Sequence, residues 1–119
     1  MTVADASLAL GRYSEAVKAY DTARRRGGRE DRIGRQLWVC WTKLGEPRRA
    51  YRELDRVVDP VGSATTFVDL LALGETAAAM GNHEAAERNL TFALWKAPDA
   101  ESQRRAVAAL ARVHTERAR

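Results

Sequence analysis

Gly11, Gly45 and Gly81 each follow a leucine or methionine, and each precedes an alanine by five residues: Ala16, Ala50 and Ala86. The first two glycines stand thirty-four residues apart and the next two thirty-six. Recurrence at that period marks stacked supersecondary units, because one unit cannot cover its own apolar face and must lean on the next. It limits the fold to a repeat architecture.

The copies share more than glycine. Four residues beyond each alanine stands a large side chain, Tyr20, Leu54 or Leu90, and three further on stands Ala23, Val57 or Ala93. Val3, Leu37 and Leu73 lie eight residues before the glycines, and Leu10, Leu44 and Met80 directly before them. Spacings of three, four and seven keep residues on one face of an α-helix, so this is one buried stripe written three times. The glycines sit where one helix stops and reverses, and the alanines let the paired helices approach closely.

Seven helices follow, and no alternating β-branched run of strand length interrupts them. The first spans about 2–10, with Thr2 as N-cap and Asp5 completing a capping box. The second is expected from Ser14 to Arg26, stopped by Gly27-Gly28, and the third from Glu30 to Leu44. Pro47 opens the fourth, which ends at Asp59-Pro60 before a turn at Val61-Gly62. That turn absorbs the two extra residues between the second and third copies. Thr65 or Thr66 starts the fifth, running to Met80; Asn82 caps the sixth, running to Lys96; and Asp99 caps the seventh.

Composition fits a folded chain. Of 119 residues, 45% are hydrophobic and 30% charged, which argues against disorder. The net charge of +4 comes from seventeen arginines and three lysines, a skew that hints at a GC-rich bacterial genome. No stretch reads as a signal peptide or a membrane span, and the lone Cys40 cannot form an internal disulfide, so a cytoplasmic location is expected.

From Gly11 to Ala23 the sequence resembles the second half of the tetratricopeptide repeat, and Leu73-Gly74 with Gly81, Ala86, Ala93 and Pro98 is similar to nearly all of it. The resemblance covers three copies, about 1–28, 29–62 and 63–98, in a single domain closed by a capping helix at about 99–117. In that last helix Val107, Ala108 and Ala111 fall in register. The second copy departs from the pattern: Trp38 stands at a usually small position, Pro47 at an aromatic one and Val57 at an alanine. The resemblance implies a right-handed superhelical solenoid of antiparallel helix pairs whose first helices line a concave groove for a peptide or a partner's helix.

Mapped by register, the groove takes in Leu8 and Ala9, then Arg35, Val39 and Lys43, then Leu71, Glu75 and Ala78, then Arg105, Ala109 and Arg112. Its basic edges suit an acidic peptide, arginine offering bidentate hydrogen bonds to carboxylates, but solvated surface is slightly favoured for them. The positions at which some family members clamp a terminal carboxylate hold Met1, Asp5, Gln36, Val68 and Ala72, so that ligand is not expected. A second basic region comprises Arg48, Arg49, Arg52 and Arg56, together with Arg24–Arg26, Arg29 and Arg32. Glu53, Asp55 and Asp59 lie at helical pairing distance, so solvated surface is favoured there over nucleic-acid contact.

Of the tryptophans, Trp41 is expected in the core, Trp38 in the core in preference to projecting as a partner contact, and Trp95 under the last helix. His83, His114 and Cys40 show no metal-ligand spacing, and no P-loop, dinucleotide glycine pattern or nucleophile elbow is present. Cys40, flanked by apolar residues, reads as an inert thiol. The function expected is therefore a non-catalytic protein-interaction scaffold without cofactor, metal or membrane partner. The alternative is a regulatory domain that contacts nucleic acid or a transcription regulator through its arginine-rich face. The short first helix leaves an apolar edge through which copies could associate.

Overall fold

The computed structural model describes residues 2–59, 62 and 65–119 and is all α among them. The helices are α1 (Val3–Ala9), α2 (Tyr13–Arg25), α3 (Glu30–Lys43), α4 (Pro47–Val57), α5 (Phe67–Ala79), α6 (His83–Lys96) and α7 (Ala100–Arg117). Pro60 and Val61, from the expected helix stop and turn, lie outside the described residues, as does Met1.

Four helix ends close in the same way. Gly11, Gly27, Gly45 and Gly81 have φ of 73°, 82°, 74° and 81°, a left-handed conformation that glycine adopts without a Cβ penalty. At each, the glycine N–H and the next residue's N–H donate back into the last turn. In α2 the Gly27 N–H donates to Arg24 O at 3.1 Å and the Gly28 N–H to Ala23 O at 2.9 Å. Leu8 and Ser7, Thr42 and Trp41, and Ala78 and Ala77 serve as acceptors in the other three. These are Schellman closures, which satisfy carbonyls that the helix itself leaves free.

Because the closures at Gly11, Gly45 and Gly81 are completed by the residue after glycine, the next helix starts two residues beyond it, at Tyr13, Pro47 and His83, whereas after Gly27 it starts at Glu30. Ser14 therefore lies inside α2, whose N-cap is Arg12 and has no side-chain cap bond. The caps expected elsewhere form. Thr2 and Asp5 make a reciprocal capping box, and Thr66, Asn82 and Asp99 accept from the backbone N–H groups of Asp69, Ala85 and Ser102.

The chain divides into two compact units, Met1–Val57 and Val58–Arg119. In the first, α2 packs against both α1 and α3, and α3 against α4. Its core gathers Ala4, Ala16, Val17, Tyr20, Ile33, Leu37 and Cys40, with Leu8, Tyr13 and Trp41 packed against them. In the second, α6 packs against α5 and α7, and α5 also meets α7. Leu70, Leu73, Ala77, Ala86, Leu90, Ala93, Ala106 and Val113 are buried there. Lys96 ties the approach to α5 onto the end of α6, its Nζ donating to the carbonyls of Gly62 at 2.6 Å and Thr65 at 3.0 Å.

Ala16, Ala50 and Ala86 are fully buried, as close approach of paired helices requires. Glycines carry the tightest contacts. A Cβ on Gly74 would lie 2.5 Å from Leu90 Cγ, so α5 and α6 touch where no side chain fits. Trp38 takes the corresponding place on α3 and is half-buried. The close contact there has moved one turn earlier, to Gly34, where a Cβ would stand 2.7 Å from Val57 Cγ1. The second copy accommodates its tryptophan by shifting the seam.

Parts of the expected stripe are open to solvent. Val3 is 78% exposed, because it is the first residue of a short helix, whereas Leu37 and Leu73 sit mid-helix and are fully buried. Leu10 and Leu44 are C-cap residues at the helix tips and are exposed. Along α7, Ala106, Ala109 and Val113 form the buried face, which leaves Val107, Ala108 and Ala111 outside.

Candidate functional site

The register-based groove residues are best gathered in the second unit. Glu75 and Ala78 on α5 and Ala109 and Arg112 on α7 line one open cleft of about 210 Å³, joined by Val113 and Glu116. Two short side chains open this space: Ala78 is half-buried and Ala109 buried, while Glu75, Arg112 and Glu116 are exposed at the rim. The cleft thus offers an apolar floor and a rim carrying both signs of charge. Leu71 is buried and belongs to the core. Arg105 is exposed, and its guanidinium lies 5.9 Å from the Phe67 ring centroid, a cation–π contact one α7 turn and more from the cleft.

In the first unit, Arg35 and Val39 are half-buried on α3 and Lys43 is exposed. Leu8 is half-buried against the core and Ala9 exposed.

The basic patch resolves into individual partners. Arg49 lies over the Trp41 ring at 4.8 Å, so it is held by an aromatic face and not by Glu53, four residues on. Glu53 instead receives Arg24 from α2, a contact that also reaches Glu30 at 3.1 Å, and stands 4.0 Å from Arg56. Arg48 and Arg52 are exposed. One guanidinium therefore fastens α2 to both helices of the α3–α4 hairpin.

A polar triad in the first unit has no local sequence pattern behind it. The Tyr20 hydroxyl, on a side chain 1% exposed, donates to Asp5 Oδ1 at 2.7 Å, and Arg32 Nη2 donates to Asp5 Oδ2 at 2.7 Å. Arg32, then Tyr20, holds the Asp5 carboxyl well below the usual carboxylate range, and burial together with Asp5 pushes the Tyr20 phenol up. Neither group is poised to exchange protons near neutrality. The signal available was Tyr20 itself, since a buried tyrosine needs a partner for its hydroxyl.

Trp95 is 73% exposed, against the expectation that it packs under α7. The buried face of α6 runs through Ala86, Leu90 and Ala93, and Trp95 lies on the opposite side, edge-on to Phe92 with ring centroids 5.4 Å apart. Cys40 is buried and burial raises its thiol pKa, an inert environment. His83 is half-buried and His114 exposed. Among the described residues no three His, Cys, Asp or Glu side chains converge as metal ligands, and no helix is long and apolar enough to cross a membrane.

Comparison with protein-family models and with curated proteins gives no match to this chain.

Proposed function

We propose that the chain is a non-catalytic interaction module of tetratricopeptide type, a right-handed superhelical stack of helix pairs that holds a partner's peptide or helix against the inner faces of its first helices. The solenoid rests on the sequence period and on the repeated Schellman closures. The observation that carries the functional reading is that Glu75, Ala109 and Arg112, which the register assigns to the inner face of successive first helices, line one open cleft between α5 and α7. An open cleft with a small-residue floor and a charged rim fits an extended segment or a helix face, for which complementary rim charges set register more than affinity.

A photo-crosslinking residue placed at Ala78 should capture a discrete partner in the native cell. The same residue at Arg104, exposed elsewhere on α7, should not. Exchange of the rim charges, Glu75→Arg with Arg112→Glu, should abolish the product. Equal labelling from both positions, or a product indifferent to the exchange, would refute the reading.

A further inference from the structure

We infer that the first unit carries a second binding site, a cleft between the N-terminal ends of α1 and α3 and the C-terminal end of α2, that takes an acidic linear segment of a partner protein anchored by one apolar side chain. The cleft measures about 570 Å³, within the range of roughly 300–1,000 Å³ typical of ligand sites. Its walls are largely apolar: Val3 and Ala4 from α1, Ala19 and Ala23 from α2, and Ile33 from α3. This is where the most exposed apolar side chain of α1, Val3, finds a purpose.

Charge decides the occupant. Among the described residues, every charged residue lining the cleft is an arginine, Arg26, Arg29 or Arg32, and no carboxylate lines it. The three differ in availability. Arg32 is committed to Asp5 and forms a fixed wall. Arg29 pairs with Asp31 at 3.1 Å, but the two side chains are 80% and 51% exposed, and a pair so open to water is worth little, so a partner carboxylate can replace Asp31 at small cost. Arg26 is exposed and has no acidic partner among the described residues. Two guanidinium forks thus stand over an apolar trough, an arrangement that rewards a carboxylate and a hydrocarbon side chain presented together. The Schellman closure at Gly27 and Gly28 holds the geometry, since it turns the chain so that Arg26 and Arg29 flank one opening; a Cβ on Gly28 would meet Ile33 Cδ1 at 2.6 Å.

The site shares no residue with the α5–α7 cleft, so either can fail without the other. The test is fluorescence anisotropy on the full chain with a short labelled peptide of glutamates around one leucine. We expect saturable binding, weakened about tenfold or more by Arg26→Glu with Arg29→Glu, and weakened about tenfold when serine replaces the leucine. Arg48→Glu with Arg52→Glu, an equal charge change at exposed positions on α4, should leave the affinity unchanged; circular dichroism confirms that both variants fold. Absence of binding, equal loss in the two double variants, or indifference to the leucine would overturn the proposal. So would saturation of the cleft by a medium-chain fatty acid with no binding of the peptide.

Discussion

The Tyr20 hydroxyl reaches across from α2 to donate to the Asp5 carboxylate on α1 at 2.7 Å, and Arg32 on α3 closes on the same carboxylate from the other side. Three consecutive helices are thereby joined through one acidic side chain that also caps α1. Tyr20→Phe keeps the ring in its buried place and deletes only the donor. The expected cost is about 0.5–1.5 kcal/mol, measured by urea denaturation, because the carboxylate retains Arg32 and the Thr2 amide.

The same carboxylate sets an acid limit. Its folded pKa lies below the unfolded value, chiefly through Arg32. As pH falls the unfolded chain therefore takes up the proton first. The stabilisation is complete above the unfolded pKa of about 3.9 and fades as pH drops through that value toward the folded one. Denaturation midpoints should thus decline below about pH 4–5. Asp5→Asn should lower stability at neutral pH and flatten the decline, and a variant with the same acid profile as the parent would exclude Asp5 as its source.

Gly45 and Gly74 are glycines for opposite reasons, the first for its backbone conformation and the second for packing. Gly45 has φ 74°, and a Cβ there would meet nothing within 4 Å, so alanine strains only the backbone, by about 1–2 kcal/mol. Gly74 has ordinary helical backbone, yet a Cβ would press on the buried Leu90 at 2.5 Å. Overpacking of that kind costs about 1–3 kcal/mol, against a gain in helix propensity of about 1 kcal/mol. Asparagine tolerates the left-handed conformation better than alanine. Thermal melts should therefore show Gly45→Asn recovering part of the loss seen in Gly45→Ala, and Gly74→Ser remaining destabilised.

What the sequence could show divides along the range of the interaction. Helix ends depend on neighbours within one turn, so Gly11, Gly45 and Gly81, the Thr2 box and the caps at Asn82 and Asp99 were all legible. The fully buried Ala16, Ala50 and Ala86 were legible too, because the register repeats. Ser14 misled because a Schellman closure consumes the residue after glycine and starts the helix earlier than a side-chain cap would. Trp95 misled because size suggests burial while its position, half a turn from Ala93, dictates exposure. The shift of close contact from Trp38 to Gly34 and the convergence of Asp5, Tyr20 and Arg32 depend on residues far apart in the chain, and no local pattern announces them. At the candidate site, Glu75, Ala109 and Arg112, which register groups, line one cleft, but register gave no sign that Val113 and Glu116 share it or that Leu71 is buried.

Exposed Trp95 gives a direct optical check. With Trp38 and Trp41 half-buried, iodide should quench mainly the Trp95 emission. Trp95→Phe should remove most of the quenchable fluorescence while changing stability by no more than about 0.5 kcal/mol, as expected of a surface substitution. A large loss of stability would place the indole in the core after all.

Arg24 carries the heaviest electrostatic duty in the first unit. Its guanidinium meets Glu53 on α4 in a two-pronged contact and Glu30 at the start of α3, and these carboxylates hold it more firmly protonated than a free arginine, Glu53 foremost. Glu53 is only 13% exposed in its side chain, so removing the arginine strands a poorly hydrated carboxylate. Arg24→Ala should therefore cost about 1–3 kcal/mol, more than a surface pair would. Glu53→Gln in the Arg24→Ala background should restore part of that loss, because the stranded charge is gone. A double-mutant cycle measures the difference. If the two losses simply add, the contact is an incidental surface pair, and the fastening of α2 to the α3–α4 hairpin rests on the apolar core, Val17 and Tyr20 of α2 with Ile33 and Leu37 of α3.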